Sequence, residues 1–244
     1  MEPPAILAGW RSDDPGLTAV AHAIAAALEA DARLLPEPAY HNRHHVAEAV
    51  LAMDLLCRTA CELGLLPQRV ADLGTLAMIG HDLGHDGSLA PPGLLEARAA
   101  AAVATLASAL DPSERAVLTD LIMATDPTTV PDNLARARSA DATPLDHLTA
   151  LANEADVLAS LLPGLGLTLA DLLAAEWRPH DPERAASVTS FVGRRQFLSV
   201  YADPTEAGRC LGLQDCIGRQ IAAITVELDA LPRLEAVARF KGRL

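Results

Sequence analysis

"AMIGHDLGHDG", residues 77–87, ends an apolar stretch with two histidines and two aspartates in six positions. Just upstream, "RVADLGTLAMIG" carries Val70, Leu73, Leu76, Ala77 and Ile79 at the spacing of a buried helix. Gly80 and Gly84 loosen its end. His81 and Asp82 therefore emerge where a buried helix stops, pointing about 100° apart, so a cation held against neighbouring helices can touch both. The pair alone completes no site, because a metal takes four to six ligands. His with carboxylate suits Zn, Mn, Fe or Mg.

Two other segments offer donors. In "YHNRHHVAEAV", residues 40–50, His41 and His45 are four apart and share a helical face, whereas His44 is rotated away. Surface histidines at a helix start are the competing reading, which weakens beside His81, Asp82 and His85. In "LTALANEADVLASLL", residues 148–162, Leu148, Leu151, Ala155, Leu158 and Leu162 form an apolar stripe with Asp156 beside it. Asp156 has Ala152 and Ala159 as helical neighbours, and a carboxylate buried there needs a partner or a cation. An exposed aspartate on the stripe's edge is the alternative.

Composition places these segments in an all-α protein. Half of the 244 residues are hydrophobic but 3% are aromatic, and Ala and Leu dominate, which favours helix over sheet. One domain over 1–244 is expected. A net charge of −13 argues against a nucleic-acid polymer or an anionic membrane as partner. No secretion signal or bilayer-length apolar run stands out, so a cytoplasmic protein is expected. Cys57, Cys61, Cys210 and Cys216 form no C-x-x-C pair and are expected to be reduced core residues.

Asp-Pro at 14–15, 111–112, 181–182 and 203–204 reads as N-cap followed by N1, each pair starting a helix. Thr143 with Asp146, and Thr168 with Asp171, give capping-box-like starts. About ten helices follow, near 15–34, 40–63, 68–83, 93–109, 112–125, 144–162, 169–177, 182–201, 204–229 and 232–241. "SLAPPG" and "TDPTTVPDN" read as loops.

On these residues the chain resembles the HD superfamily of metal-dependent phosphohydrolases, and within it the catalytic domain of class I 3′,5′-cyclic nucleotide phosphodiesterases. Tyr40, His41, Asn42 and His45 match the family's Tyr-His-Asn-x-x-His motif, and His81, Asp82, His85 and Gly87 match His-Asp-x-x-His-x-Gly. Leu95-Glu96, Asp126 and Asp156 resemble shorter family segments in the same order. The resemblance implies a compact HD-type domain in which His45, His81, Asp82 and Asp156 hold a tight metal, Zn or Mn/Fe. Asp82 would bridge to a second, Mg or Mn. It implies His41 as general acid, and His85 and Glu96 ordering a dinuclear metal-activated water.

The resemblance implies hydrolysis of the 3′ ester of a 3′,5′-cyclic nucleotide or related small phosphodiester, the metals supplying the positive field that an acidic chain lacks. Tyr40, Phe191, Arg194 and Gln196 are the expected substrate contacts. The substrate end departs from the family: in "SFVGRRQF", residues 190–197, Phe191 stands where the purine-binding glutamine belongs and Arg194 where a clamping phenylalanine belongs. Ala90 and Ala97-Arg98 replace an asparagine and a His-His pair. An HD hydrolase of another phosphate ester is therefore the alternative, and a non-catalytic metal-binding helical module the third reading. The oligomeric state stays open, a homodimer being one option.

Overall fold

Asp14, Asp111 and Asp181 accept hydrogen bonds from backbone amides of Leu17, Ser113 and Arg184, so each caps a helix that begins at the following proline. Thr143 and Asp146 close a reciprocal capping box. The computed structural model describes residue 7, residues 12–34 and residues 36–241, with side chains through 230 apart from 33 and 34.

These residues build an all-α fold of twelve helices. They are α1 (Pro15–Leu34), α2 (Arg43–Glu62), α3 (Gln68–Gly80), α4 (Leu94–Leu106), α5 (Pro112–Met123), α6 (Val130–Ala137), α7 (Pro144–Leu161), α8 (Leu165–Trp177), α9 (Pro182–Val188), α10 (Phe191–Val200), α11 (Glu206–Cys210) and α12 (Leu213–Lys241). No single helix among the described residues is long and apolar enough to cross a membrane.

Twelve replaces the expected ten for identifiable reasons. The segment read as a loop at 125–133 contains the start of α6: Pro131 occupies the first helical turn, and buried Asn133 donates to Asn153 at 2.9 Å. The span 182–201 divides because Ser190 caps a new helix by accepting from Gly193. Asp203-Pro204 starts no helix; Thr205 is the N-cap of α11, and Asp203 faces arginines instead. Thr168 lies inside α8, which begins at Leu165. The break expected at residues 230–231 is absent, α12 running on to Lys241. The four cysteines are free, but only Cys57 is buried; Cys210 is exposed.

Two apolar clusters meet at α7. The larger joins α1 to α5 and takes Leu148, Leu151, Ala152 and Ala155 from α7. The smaller joins α6, α10 and α12 and takes Ala150 and Leu161. Nothing of α3 from Leu73 to Gly80 is exposed, so this helix is a buried rod whose end fixes His81. Gly80 closes it where space runs out: a Cβ there meets Val103 Cγ2 at 2.4 Å and Ile24 Cγ2 at 3.0 Å, both fully buried.

Gly80→Ala is expected to lower stability by about 1–2 kcal/mol, overpacking of ~1–3 kcal/mol being partly offset by alanine's helix propensity. Urea unfolding at unchanged m-value checks this. Equal or greater stability would show that the contact is not tight.

Candidate metal centre

Four side chains from three segments converge. His45 lies in the first turn of α2, His81 and Asp82 follow the end of α3, and Asp156 sits in α7. His45 Nε2 is 3.0 Å from Asp156 Oδ1 and 3.3 Å from Asp82 Oδ2. His81 Nε2 is 3.3 Å from Asp156 Oδ1, 3.4 Å from Asp82 Oδ2 and 3.3 Å from His45 Nε2. Ligands around a cation at about 2.0–2.2 Å stand roughly 2.8–3.5 Å apart at adjacent corners. The five separations that involve a histidine fall in that range, and His45, His81 and Asp82 bring one donor atom each within 4.8 Å of one another.

The protonation pattern also fits a cation. His81 Nδ1 donates to Met78 O at 2.8 Å, which leaves Nε2 facing the cluster; burial opposes charge on the ring, but the carboxylates of Asp82 and Asp156 outweigh it and raise the His81 pKa. Asp82 Oδ2 is buried and makes no hydrogen bond. Burial alone would raise the Asp82 pKa, but the imidazoles of His81, His45 and His41 outweigh it and hold the carboxyl well below its usual range. Asp156 is likewise lowered: burial opposes its charge, and His45 and His81 overcome it. Two ionised carboxylates held against two imidazole Nε2 atoms form a donor set that a divalent cation could take over by displacing the imidazole protons.

His41 stands outside α2, which begins two residues later. Its position comes from Asn42, the N-cap, which accepts from the His44 and His45 amides and donates to Pro38 O and Ala39 O. The shared helical face expected for His41 and His45 is thus replaced by a capped turn, which leaves their rings 5.7 Å apart. His41 Nδ1 meets Glu176 Oε1 at 2.5 Å, and Glu176 Oε2 accepts from the amides of Tyr40 and His41 at 2.8 and 3.1 Å. Glu176, buried in α8, was not among the sequence candidates; a carboxylate among the alanines and leucines of "LADLLAAEW", which also holds Asp171, was the available signal. Gly87, at φ 75°, makes room for it, since a Cβ would approach Glu176 Cγ to 3.2 Å.

His85 stacks on His41, ring centroids 3.8 Å apart. Burial, then repulsion from His41, push its pKa down to about 4. Glu96, in the first turn of α4, is raised by burial and by the carboxylates of Asp126, Asp82 and Asp156, which places it electrostatically near the cluster. Asp126 itself holds the turn before α6, its Oδ1 accepting from the amide and hydroxyl of Thr128.

The expected substrate contacts have different surroundings. Tyr40 is 8% exposed, packs its ring 4.8 Å from those of His41 and His45, and pairs its hydroxyl with Ser160 Oγ. Arg194 is 5% exposed and donates to Ser160 O and Gln220 Oε1 at 2.6 and 3.0 Å, so it braces α7 against α12 instead of presenting a free guanidinium. Phe191 is 48% exposed. Gln196 lines a surface groove shared with Leu134, Arg138 and Arg195, which none of the histidines or aspartates of the cluster lines.

No protein-family model and no curated protein matches the sequence. The fold is shared with the solved structure of LmjPDEB1, a Leishmania class I cAMP phosphodiesterase catalytic domain, in complex with IBMX. The likeness has a TM-score of 0.60 at 15% identity and covers 94% of this chain and 92% of that one.

His85 supplies a pH test. Unfolded, it takes up a proton near 6.5; folded, only at about 4. Stability contributed by the neutral ring is therefore present above 6.5 and is lost as pH falls towards 4. In an NMR titration of metal-free protein its ring resonance is expected to show a midpoint near 4, and a midpoint of 6.5 or higher would contradict this burial.

Proposed function

We propose that the chain is a metal-dependent phosphohydrolase that cleaves the 3′ ester of a 3′,5′-cyclic nucleotide or a related small phosphodiester. The observation that carries the reading is His41: a histidine beside the candidate metal cluster, held by a buried glutamate and not needed as a ligand. His45, His81, Asp82 and Asp156 would hold the tight cation, with Asp82 offering its second oxygen to another. Divalent cations there would lower the pKa of a water and neutralise phosphoryl oxygens.

The remaining chemistry belongs to the chain. Glu176 engages His41 Nδ1, so Nε2 is the nitrogen that faces a leaving oxygen. A histidine held in this orientation is a group that could hand a proton to an alkoxide leaving group. His85 stays neutral against the face of His41, so the two stacked rings do not compete for charge. His85 and Glu96 would orient water on the other side of the phosphorus. The likeness of fold to LmjPDEB1 supports the same reaction class.

A second reading, hydrolysis of another phosphate ester at the same centre, is favoured by one observation. Arg194 is engaged inside the fold and Phe191 is exposed, which speaks for a substrate other than the purine nucleotide that contacts at 191–196 would grip. In either reading the protein works as a cytoplasmic single domain on a small anionic ester.

With Mn and Mg, 3′,5′-cyclic AMP is expected to yield 5′-AMP. Asp82→Ala should abolish turnover, and His41→Asn should lower kcat by about 10²–10⁴ while metal content is kept. Product chromatography with metal analysis reads both. Turnover of bis-(p-nitrophenyl) phosphate without cyclic AMP hydrolysis selects the second reading; turnover that survives Asp82→Ala overturns both.

A further inference from the structure

Three features remain outside this chemistry: the Asp203-Pro204 pair that starts no helix, the unused Arg195-Gln196 pair, and two adjoining cavities away from the metal cluster. The cavities measure about 540 and 270 Å³ and share Leu134 and Arg138. Ligand pockets run roughly 300–1,000 Å³. Leu134, 2% exposed, forms the floor. In the larger one Arg138, Arg195, Gln196 and Ser199 face the apolar surfaces of Pro131 and Val200.

The arginines are arranged for a ligand. Asp203 Oδ2 meets Arg138 Nε at 3.1 Å and its Oδ1 meets Arg209 NH1 at 3.2 Å, while Arg138 also donates to the Asp203 carbonyl. Asp203 thus acts as a brace that aims two guanidiniums from α6 and α11 at neighbouring space. Arg195 has no ion pair among the described residues. Against the three arginines stand the carboxylates of Asp203, Glu206 and the buried Glu154, which acts on Arg138 and Arg209, with His147 lining the smaller cavity.

We propose that this groove binds a small phosphomonoester, its phosphate between Arg138 and Arg195 and its apolar body over Leu134, Pro131 and Val200. A tetrahedral dianion can use two guanidiniums together with the Gln196 amide and Ser199 hydroxyl, which a single carboxylate cannot saturate. The site is separate from the metal centre and does not depend on its activity.

The test titrates the full chain, kept in chelator so that no metal-bound anion contributes, with phenyl phosphate by calorimetry. Saturable binding is expected, weakened at least tenfold by Arg195→Gln. Arg195 braces nothing in the fold, so that variant should keep the parent's unfolding midpoint; Arg138→Gln should weaken binding further. Absence of saturable binding, or affinity within twofold of the parent in Arg195→Gln, would overturn the proposal.

Discussion

Everything at the centre depends on keeping two carboxylates and two imidazoles together where little water reaches. His45 and His81 are 4% and 2% exposed, and each lies 3.0–3.4 Å from the nearest carboxylate oxygens of Asp82 and Asp156. An unpaired charge in such surroundings costs several kcal/mol. His81 has already given its Nδ1 proton to Met78 O, so it can answer the carboxylates only by becoming an imidazolium or by sharing a cation. A divalent ion resolves the conflict for all four groups at once.

The scaffold supplies that proximity with rigid parts. The buried rod of α3 fixes where His81 and Asp82 leave the helix, and α7, wedged between two apolar clusters, fixes Asp156. The third segment is placed by capping, since Asn42 both starts α2 and turns the preceding chain so that His41 lies beside His45. Glu176 then locks that turn through both backbone amides and the His41 ring. His41, the proposed proton donor, and the candidate ligands therefore rest on different supports. Changes to one can spare the other.

Much of this was legible in the sequence because it rests on local signals. Asp-Pro and Thr-x-x-Asp caps placed the starts of α1, α5, α7 and α9, and the apolar spacing before His81 revealed the buried helix. The short motifs named the four side chains that the fold brings together. What was hidden was tertiary. Asp203 has the same sequence context as the capping aspartates, yet its carboxylate is taken by Arg138 and Arg209. Pro131 looked like a breaker and serves as a helix starter, while Asn133 finds its partner in Asn153, twenty residues away. Glu176 carries no motif of its own, and Arg194 could be read as a substrate contact until its burial against Ser160 and Gln220 was seen.

The chemistry proposed for the chain follows from a separation of roles: His45, His81, Asp82 and Asp156 hold charge, while His41, Glu176 and His85 handle a proton. The second trio is itself close enough to hold a cation, so the separation is the central claim. Anomalous diffraction from crystals equilibrated with manganese tests it directly. The expected result is a manganese peak bounded by His45 Nε2, His81 Nε2, Asp82 Oδ2 and Asp156 Oδ1, with none between His41, His85 and Glu176. A peak at the second trio alone, or no peak at saturating manganese, would contradict the assignment of roles.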